Sequence, residues 1–121
     1  MAGNILLVDD NRLFRSNTSR FLQHYGYQVS EAENGEEAVR LIREIDHFDV
    51  VVTDLRMPGM LTGLDVLECQ REIGPGRRGI LITAFGSDQV KKKAQELGAV
   101  YLDKPVTLSA LLEQIRHFTM S

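Results

Sequence analysis

Short, wholly apolar runs, each closed by a residue capable of chemistry, limit the folding of this chain more than any other feature. Ile5-Leu6-Leu7-Val8 runs into Asp9-Asp10, and Val50-Val51-Val52 runs into Thr53-Asp54. A strand with one wet face alternates apolar and polar side chains, whereas a strand covered by helices on both faces is apolar at consecutive positions. These runs therefore predict buried strands of a parallel sheet. Strands are expected at Asn4 to Asp9, Tyr27 to Glu31, Val50 to Asp54, Gly79 to Thr83 and Val100 to Asp103.

Helical patterns fill the intervals. Ala38, Leu41, Ile42 and Ile45 fall at i, i+3, i+4, i+7, and Leu108, Leu111, Leu112 and Ile115 repeat that spacing. Asn34 followed by Glu37 suggests a capping box. Val90, Ala94 and Leu97 mark a shorter helix stopped by Gly98, and Gly26 closes a first helix from Arg12 to Tyr25 whose apolar stripe is interrupted by Asn17 and Thr18. A helix from Thr62 to Ile73 completes five strands alternating with five helices, the pattern of βαβ units in a single domain over residues 1–121.

Composition excludes several classes. A net charge of −3 gives no global attraction to nucleic acid or an anionic membrane. A single cysteine, Cys69, permits no internal disulfide and suits a reducing compartment. The Ile5–Val8 run is too short for a signal peptide, and no apolar stretch approaches the roughly 18 residues of a membrane span, so the expected location is the cytoplasm.

The chemistry gathers on one edge. In a parallel sheet the strand C-termini share an edge, and right-handed crossovers open a crevice there. That edge receives Asp9 and Asp10, Asp54, Thr83, and Asp103-Lys104. Three carboxylates in one crevice repel one another, and a divalent cation relieves the conflict. Oxygen ligands without His or Cys suit a hard ion such as Mg²⁺, which commonly shares its shell with a phosphate. A carboxylate can attack phosphorus, Lys104 offers a fixed positive charge to phosphoryl oxygens, and Thr83 offers a hydroxyl donor.

In its motifs the chain resembles a response-regulator receiver domain of two-component signalling, the CheY-like family. The motifs are Ile5-Leu6-Leu7-Val8-Asp9-Asp10, Val51-Val52-Thr53-Asp54-Leu55-Arg56-Met57-Pro58-Gly59, Leu81-Ile82-Thr83-Ala84 and Leu102-Asp103-Lys104-Pro105, in the family order and across essentially the whole chain. The resemblance implies a flavodoxin-like (βα)5 three-layer sandwich with strand order 2-1-3-4-5. It makes Asp54 the phosphoacceptor, with Asp9, Asp10, Asp54 and the backbone carbonyl of Arg56 holding Mg²⁺. Thr83 then bonds the transferred phosphoryl group, Lys104 pairs with it, Tyr101 is the aromatic switch, and the Lys104-Pro105 bond is cis. The implied donor is a phosphohistidine on a sensor histidine kinase or phosphotransfer protein. The implied output is altered binding of an effector domain or protein, or of a second copy, through the helix 4–strand 5–helix 5 face. A receiver attached to a transcriptional regulator is one form of this. Two alternatives stay open: a Mg²⁺-dependent phosphohydrolase using Asp54, against which Arg56 stands where such enzymes place a second acid, and a receiver scaffold that no longer switches.

One departure is visible. Met57-Pro58-Gly59-Met60 is followed by Leu61-Thr62-Gly63, one residue longer than the family pattern and without its acid. Arg56 and Phe85 occupy the positions that flank incoming water in the family, so their bulk is expected to slow hydrolysis. The remaining candidates read as ordinary structure. Lys91-Lys92-Lys93 is a solvated helix face, Arg77-Arg78 a solubilising loop at the opposite edge, and Cys69 a helix-packing residue, while His24, His47 and His117 show no ligand spacing.

Overall fold

The computed structural model describes residues 3–45 and 47–120. Five strands and five helices alternate: β1 Asn4–Val8, α1 Arg12–His24, β2 Gln28–Ala32, α2 Gly35–Glu44, β3 Val50–Thr53, α3 Gly63–Ile73, β4 Arg78–Thr83, α4 Asp88–Glu96, β5 Ala99–Asp103 and α5 Leu108–Thr119. The strands form one parallel sheet in the order β2-β1-β3-β4-β5. The flavodoxin-like architecture is therefore as expected.

Consecutive apolar residues in the strands serve opposite faces, because side chains alternate along a strand. Ile5 and Leu7 join Val50, Val52, Ile80 and Ile82 on the face covered by Leu22 of α1 and by Leu111, Leu112 and Ile115 of α5. Leu6, Val8 and Val51 face the other way, against Ala38 and Ile42 of α2 and Val66 and Cys69 of α3. Leu81 meets Leu67 of α3 and Ala94 of α4 on that same side. Cys69 is a packing residue, as its sequence context suggests.

Local signals explain the helix ends. Asn11, Asn34, Thr62, Ser87 and Thr107 each accept a hydrogen bond from a backbone amide of the first turn of α1 to α5 in turn. Gly26 and Gly98 take φ of +93° and +75°, the left-handed conformation that ends α1 and α4 where the sequence predicts.

Several boundaries shift. Tyr27 precedes β2 instead of opening it: its amide still bonds Leu22 O at the end of α1, and its ring is buried. The capping box expected at Asn34 and Glu37 is only half made, because Glu37 Oε1 accepts from the Glu33 amide instead. The reciprocal box forms at Thr62 and Asp65. On α1, Thr18 and Ser19 are buried alongside Leu22, so of the two residues that interrupt the apolar stripe Thr18 is part of the packed face, while Asn17 is exposed. Arg78 is not loop: it opens β4, with its guanidinium 5.6 Å from the centroid of the Phe118 ring.

Candidate functional site

Three strand ends build the site. Val8 of β1 and Thr53 of β3 are register partners, so the residues that follow them, Asp9 and Asp54, leave adjacent strands side by side. Carboxylate oxygens of Asp9, Asp10 and Asp54 all lie within 4.8 Å of one another, the one such acidic group among the described residues. Lys104 enters from the end of β5 and places Nζ 2.9 Å from Asp9 Oδ2 and 3.0 Å from Asp54 Oδ2. The Lys104-Pro105 peptide is cis, as the resemblance implies.

The acids differ in environment. The Asp9 side chain is only 3% exposed; its Oδ1 accepts the Asn11 amide at 2.8 Å and its Oδ2 the ammonium. Asp54 is 12% exposed; its Oδ1 accepts the Leu55 amide at 2.7 Å and its Oδ2 the same ammonium. Asp10 is exposed. For Lys104, burial works against the charged form, but the hydrogen bonds and charges of Asp9 and Asp54 outweigh it and raise its pKa. One ammonium thus bonds two of the three carboxylates but carries a single positive charge, and the cluster keeps an excess of negative charge.

These oxygens suit a small hard cation. Oxygens on opposite sides of Mg²⁺ stand roughly 4 Å apart, close to the spread here, and the exposed Asp10 can adjust. His and Cys, the softer ligands, are absent from the cluster.

Thr83 closes β4 and is fully buried; its Oγ1 accepts the Phe85 amide at 3.0 Å, which uses an oxygen lone pair and leaves the O–H proton for another partner. Tyr101 lies one strand over, packed against the cluster that includes Leu81 and Ala94, and its hydroxyl donates to Asp103 Oδ1 at 2.9 Å. A Cβ on Gly86 would fall 1.5 Å from that hydroxyl, so the bare glycine makes room for the phenol. Burial first, then Asp103, raises the Tyr101 pKa. Arg56 stands on the exposed loop after Asp54, its guanidinium 5.1 Å from the Phe85 ring centroid.

Sequence reading misses three supporting residues. Arg15 donates Nη1 to the Asp9 carbonyl at 2.6 Å and Nε to Glu31, tying α1 to the ends of β1 and β2. Phe14 places its ring 5.0 Å from the Lys104 ammonium. Glu36 of α2 accepts the Met60 amide in the loop beyond Asp54. None belongs to a motif, and each acts through a contact remote in sequence. Gly63 has a further steric role: a Cβ there would lie 2.1 Å from the Asp54 carbonyl oxygen, so α3 starts hard against the residue at the centre of the site.

Fold and site define a doubly wound α/β domain with an acid–lysine cluster at the sheet's C-terminal edge. The chain belongs to the response regulator receiver domain family, whose model matches residues 5–116. It is 34% identical over 116 residues to the chemotaxis protein CheY of Halobacterium salinarum, covering 95% of each chain. It is 38% identical over 109 residues to a response regulator receiver protein of Anaeromyxobacter, covering 89% of this chain and 45% of that one. The chain thus spans half or less of the length of several curated relatives, including 30% of a Thermotoga maritima cyclic di-GMP phosphodiesterase. A crystal structure of a Burkholderia pseudomallei response regulator with a phosphorylated aspartic acid and a calcium ion superposes with a TM-score of 0.84 at 29% identity, covering 93% of this chain and 66% of that one. Receiver domains of this family are signalling switches of two-component response regulators. No described helix is long and apolar enough to cross a membrane.

Proposed function

We propose that this chain is a phosphorylation-gated switch in which Asp54 accepts a phosphoryl group from the phosphohistidine of a sensor kinase or phosphotransfer protein. The observation that carries the reading is the convergence of Asp9, Asp10 and Asp54 within 4.8 Å beside the Lys104 ammonium. The phosphorylated aspartic acid in the related Burkholderia structure supports it. An Asp54 carboxylate oxygen attacks phosphorus, the P–N bond to the donor imidazole breaks, and the imidazole departs with the electron pair. Asp9, Asp10, Asp54 and the Arg56 carbonyl would hold Mg²⁺. Bound there, the ion would neutralise phosphoryl oxygens and template the in-line geometry.

This chain's own residues supply the rest. Lys104, already on Asp54, shifts its bond to a phosphoryl oxygen, and the fixed ammonium stabilises charge as the transfer proceeds. Thr83 turns its O–H toward the phosphoryl group, giving up the Phe85 amide. Tyr101 leaves Asp103 and follows into the vacated space, and the α4–β5–α5 face changes its affinity for an effector domain, a protein or a second copy. No direct nucleic-acid contact by this domain is required, and the setting is cytoplasmic. A turnover phosphohydrolase fits less well, because Arg56 stands two residues beyond Asp54 where such an enzyme needs an acid.

Mass spectrometry after incubation with acetyl phosphate and Mg²⁺ tests the assignment. One phosphoryl adduct is expected on the native chain and none on Asp54→Asn. An adduct at full yield on the variant overturns the acceptor, and multiple turnover on a small phosphate ester would favour the hydrolase.

A further inference from the structure

The loop from β3 to α3 carries one residue more than the pattern it resembles, and the structure lodges that extra length against α2. The Met60 amide donates to Glu36 Oε2 at 2.8 Å. A Cβ on Gly59 would stand 2.6 Å from Glu36 Oε1, so that carboxylate also lies close over the preceding residue. Next to Glu36, a Cβ on Gly35 would stand 2.7 Å from Leu61 Cβ and 2.8 Å from the Leu61 carbonyl oxygen. The loop therefore meets α2 twice, through a hydrogen bond and through a backbone approach that only glycine permits.

The chemistry of Glu36 fits a clamp. It sits in the first turn of α2, whose free amides and positive dipole end favour an anion. Hydrogen bonding to the Met60 amide and to its own amide, with a lesser part from the Leu61 amide, lowers its pKa against the opposing effect of burial. The carboxylate is thus charged throughout the neutral range. At its far end the loop is closed by Gly63 N donating to Leu55 O at 2.9 Å. Between these two fastenings lie Arg56, Met57 and Pro58.

We propose that Glu36 is a positioning residue for the phosphoacceptor loop: with Gly35 it fixes the path of residues 56–61, so that the Arg56 carbonyl is already in place when a cation and a phosphoryl group arrive. The proposal rests on the switch function proposed above. Its effect passes entirely through backbone, since Glu36 touches the loop and not Asp54. The added residue makes such a clamp useful, because a longer loop spreads over more conformations unless something restricts it.

The test uses the whole chain in three variants. Glu36→Ala removes the acceptor; Glu36→Gln keeps an oxygen that can accept the Met60 amide; Gly35→Ala pushes Leu61 away with Glu36 intact. Amide hydrogen exchange at Met60 and Leu61 is followed in metal-free protein, and Mg²⁺ affinity by titration of amide chemical shifts. Glu36→Ala is expected to speed Met60 exchange by about three- to tenfold, the range of one ordinary hydrogen bond. Mg²⁺ binding should weaken by a similar factor, with thermal unfolding of the domain nearly unchanged. Glu36→Gln should restore most of both, and Gly35→Ala should mimic the loss. Unchanged exchange in Glu36→Ala overturns the clamp. Faster exchange with unaltered Mg²⁺ affinity reduces Glu36 to a structural contact and equally overturns the proposal. Phosphorylation of the native chain and of Asp54→Asn is measured alongside. If the native chain takes up a phosphoryl group at Asp54 while Glu36→Ala matches it throughout, only the clamp fails. If the native chain takes up none, the switch reading fails, and the exchange and affinity data still decide the clamp.

Discussion

Lys104 reaches Asp54 across the width of an intervening strand, its Nζ 3.0 Å from Oδ2, with β4 lying between the strands that carry them. The same ammonium bonds Asp9, so it already occupies charge that a divalent ion would seek.

Replacing Lys104 should therefore have opposite effects on binding and on chemistry. Lys104→Ala removes a competing cation from the cluster and is expected to tighten Mg²⁺ binding by several-fold at low ionic strength, roughly the worth of one nearby charge. It should at the same time slow uptake of phosphoryl from acetyl phosphate, because no ammonium is left to meet the transferring oxygens. Calorimetric titration and a phosphorylation time course check the two halves. Weaker Mg²⁺ binding in the variant would show that Lys104 helps to shape the ion site instead of competing for it.

Arg56 and Phe85, two residues beyond Asp54 and Thr83, form a pair, guanidinium to ring centroid 5.1 Å. If the pair limits the approach of water to the acyl phosphate, Arg56→Ala and Phe85→Ala should each shorten its lifetime by several-fold. The double variant should do little more than either, since each leaves the other unsupported. Decay is followed by loss of the phosphoryl mass. Single variants with native lifetimes would remove the pair from any role in hydrolysis.

At the opposite edge, Asp49 joins three segments. Its Oδ2 accepts the Asn4 amide at 2.8 Å, its Oδ1 lies 2.6 Å from His47 Nε2, and its carbonyl accepts the Arg78 amide at 3.1 Å. Asp49→Ala leaves the Asn4 amide at the start of β1 without its partner and should cost about 1–2 kcal/mol in urea unfolding. Phosphorylation should be unaffected, because Asp49 precedes β3 while Asp54 follows it. A stability cost confined to the error of the measurement would mean that water replaces the carboxylate there.

Tyr101 should ionise above its ordinary value of 10.0, first because burial disfavours the phenolate and then because Asp103 accepts its hydrogen and repels the anion. The fold favours the neutral phenol. The associated stability is complete below the ordinary value and is lost as pH rises through the raised one. Asp103→Asn should move the ionisation downward without bringing it fully to the ordinary value, because burial remains. Near-ultraviolet difference absorbance, with Tyr101→Phe identifying the signal, measures it. No movement in Asp103→Asn would mean that the hydrogen bond to Asp103 is not kept in solution.

Much of this protein is written in local pattern. Consecutive apolar residues such as Leu6 and Leu7 specify a strand buried on both faces, and the 3.6-residue stripes specify the helices. Because the strands are parallel, their ends alone assign Asp9, Asp10, Asp54, Thr83 and Lys104 to one edge. These signals survive in sequence because they depend on residues only one to seven positions apart.

The rest depends on register and crossover, which emerge only when five strands and two helical layers pack together. The shared ammonium of Lys104, Arg15 on Glu31, Arg78 over Phe118 and Glu36 on Met60 join residues from 16 to 95 positions apart. A separation in sequence carries no distance until the chain between is folded. The partial capping box shows the same limit at short range: Asn34 and Glu37 have the right spacing, yet the carboxylate goes to the Glu33 amide. Residue identity therefore fixed which groups could act, and tertiary packing decided which of them meet.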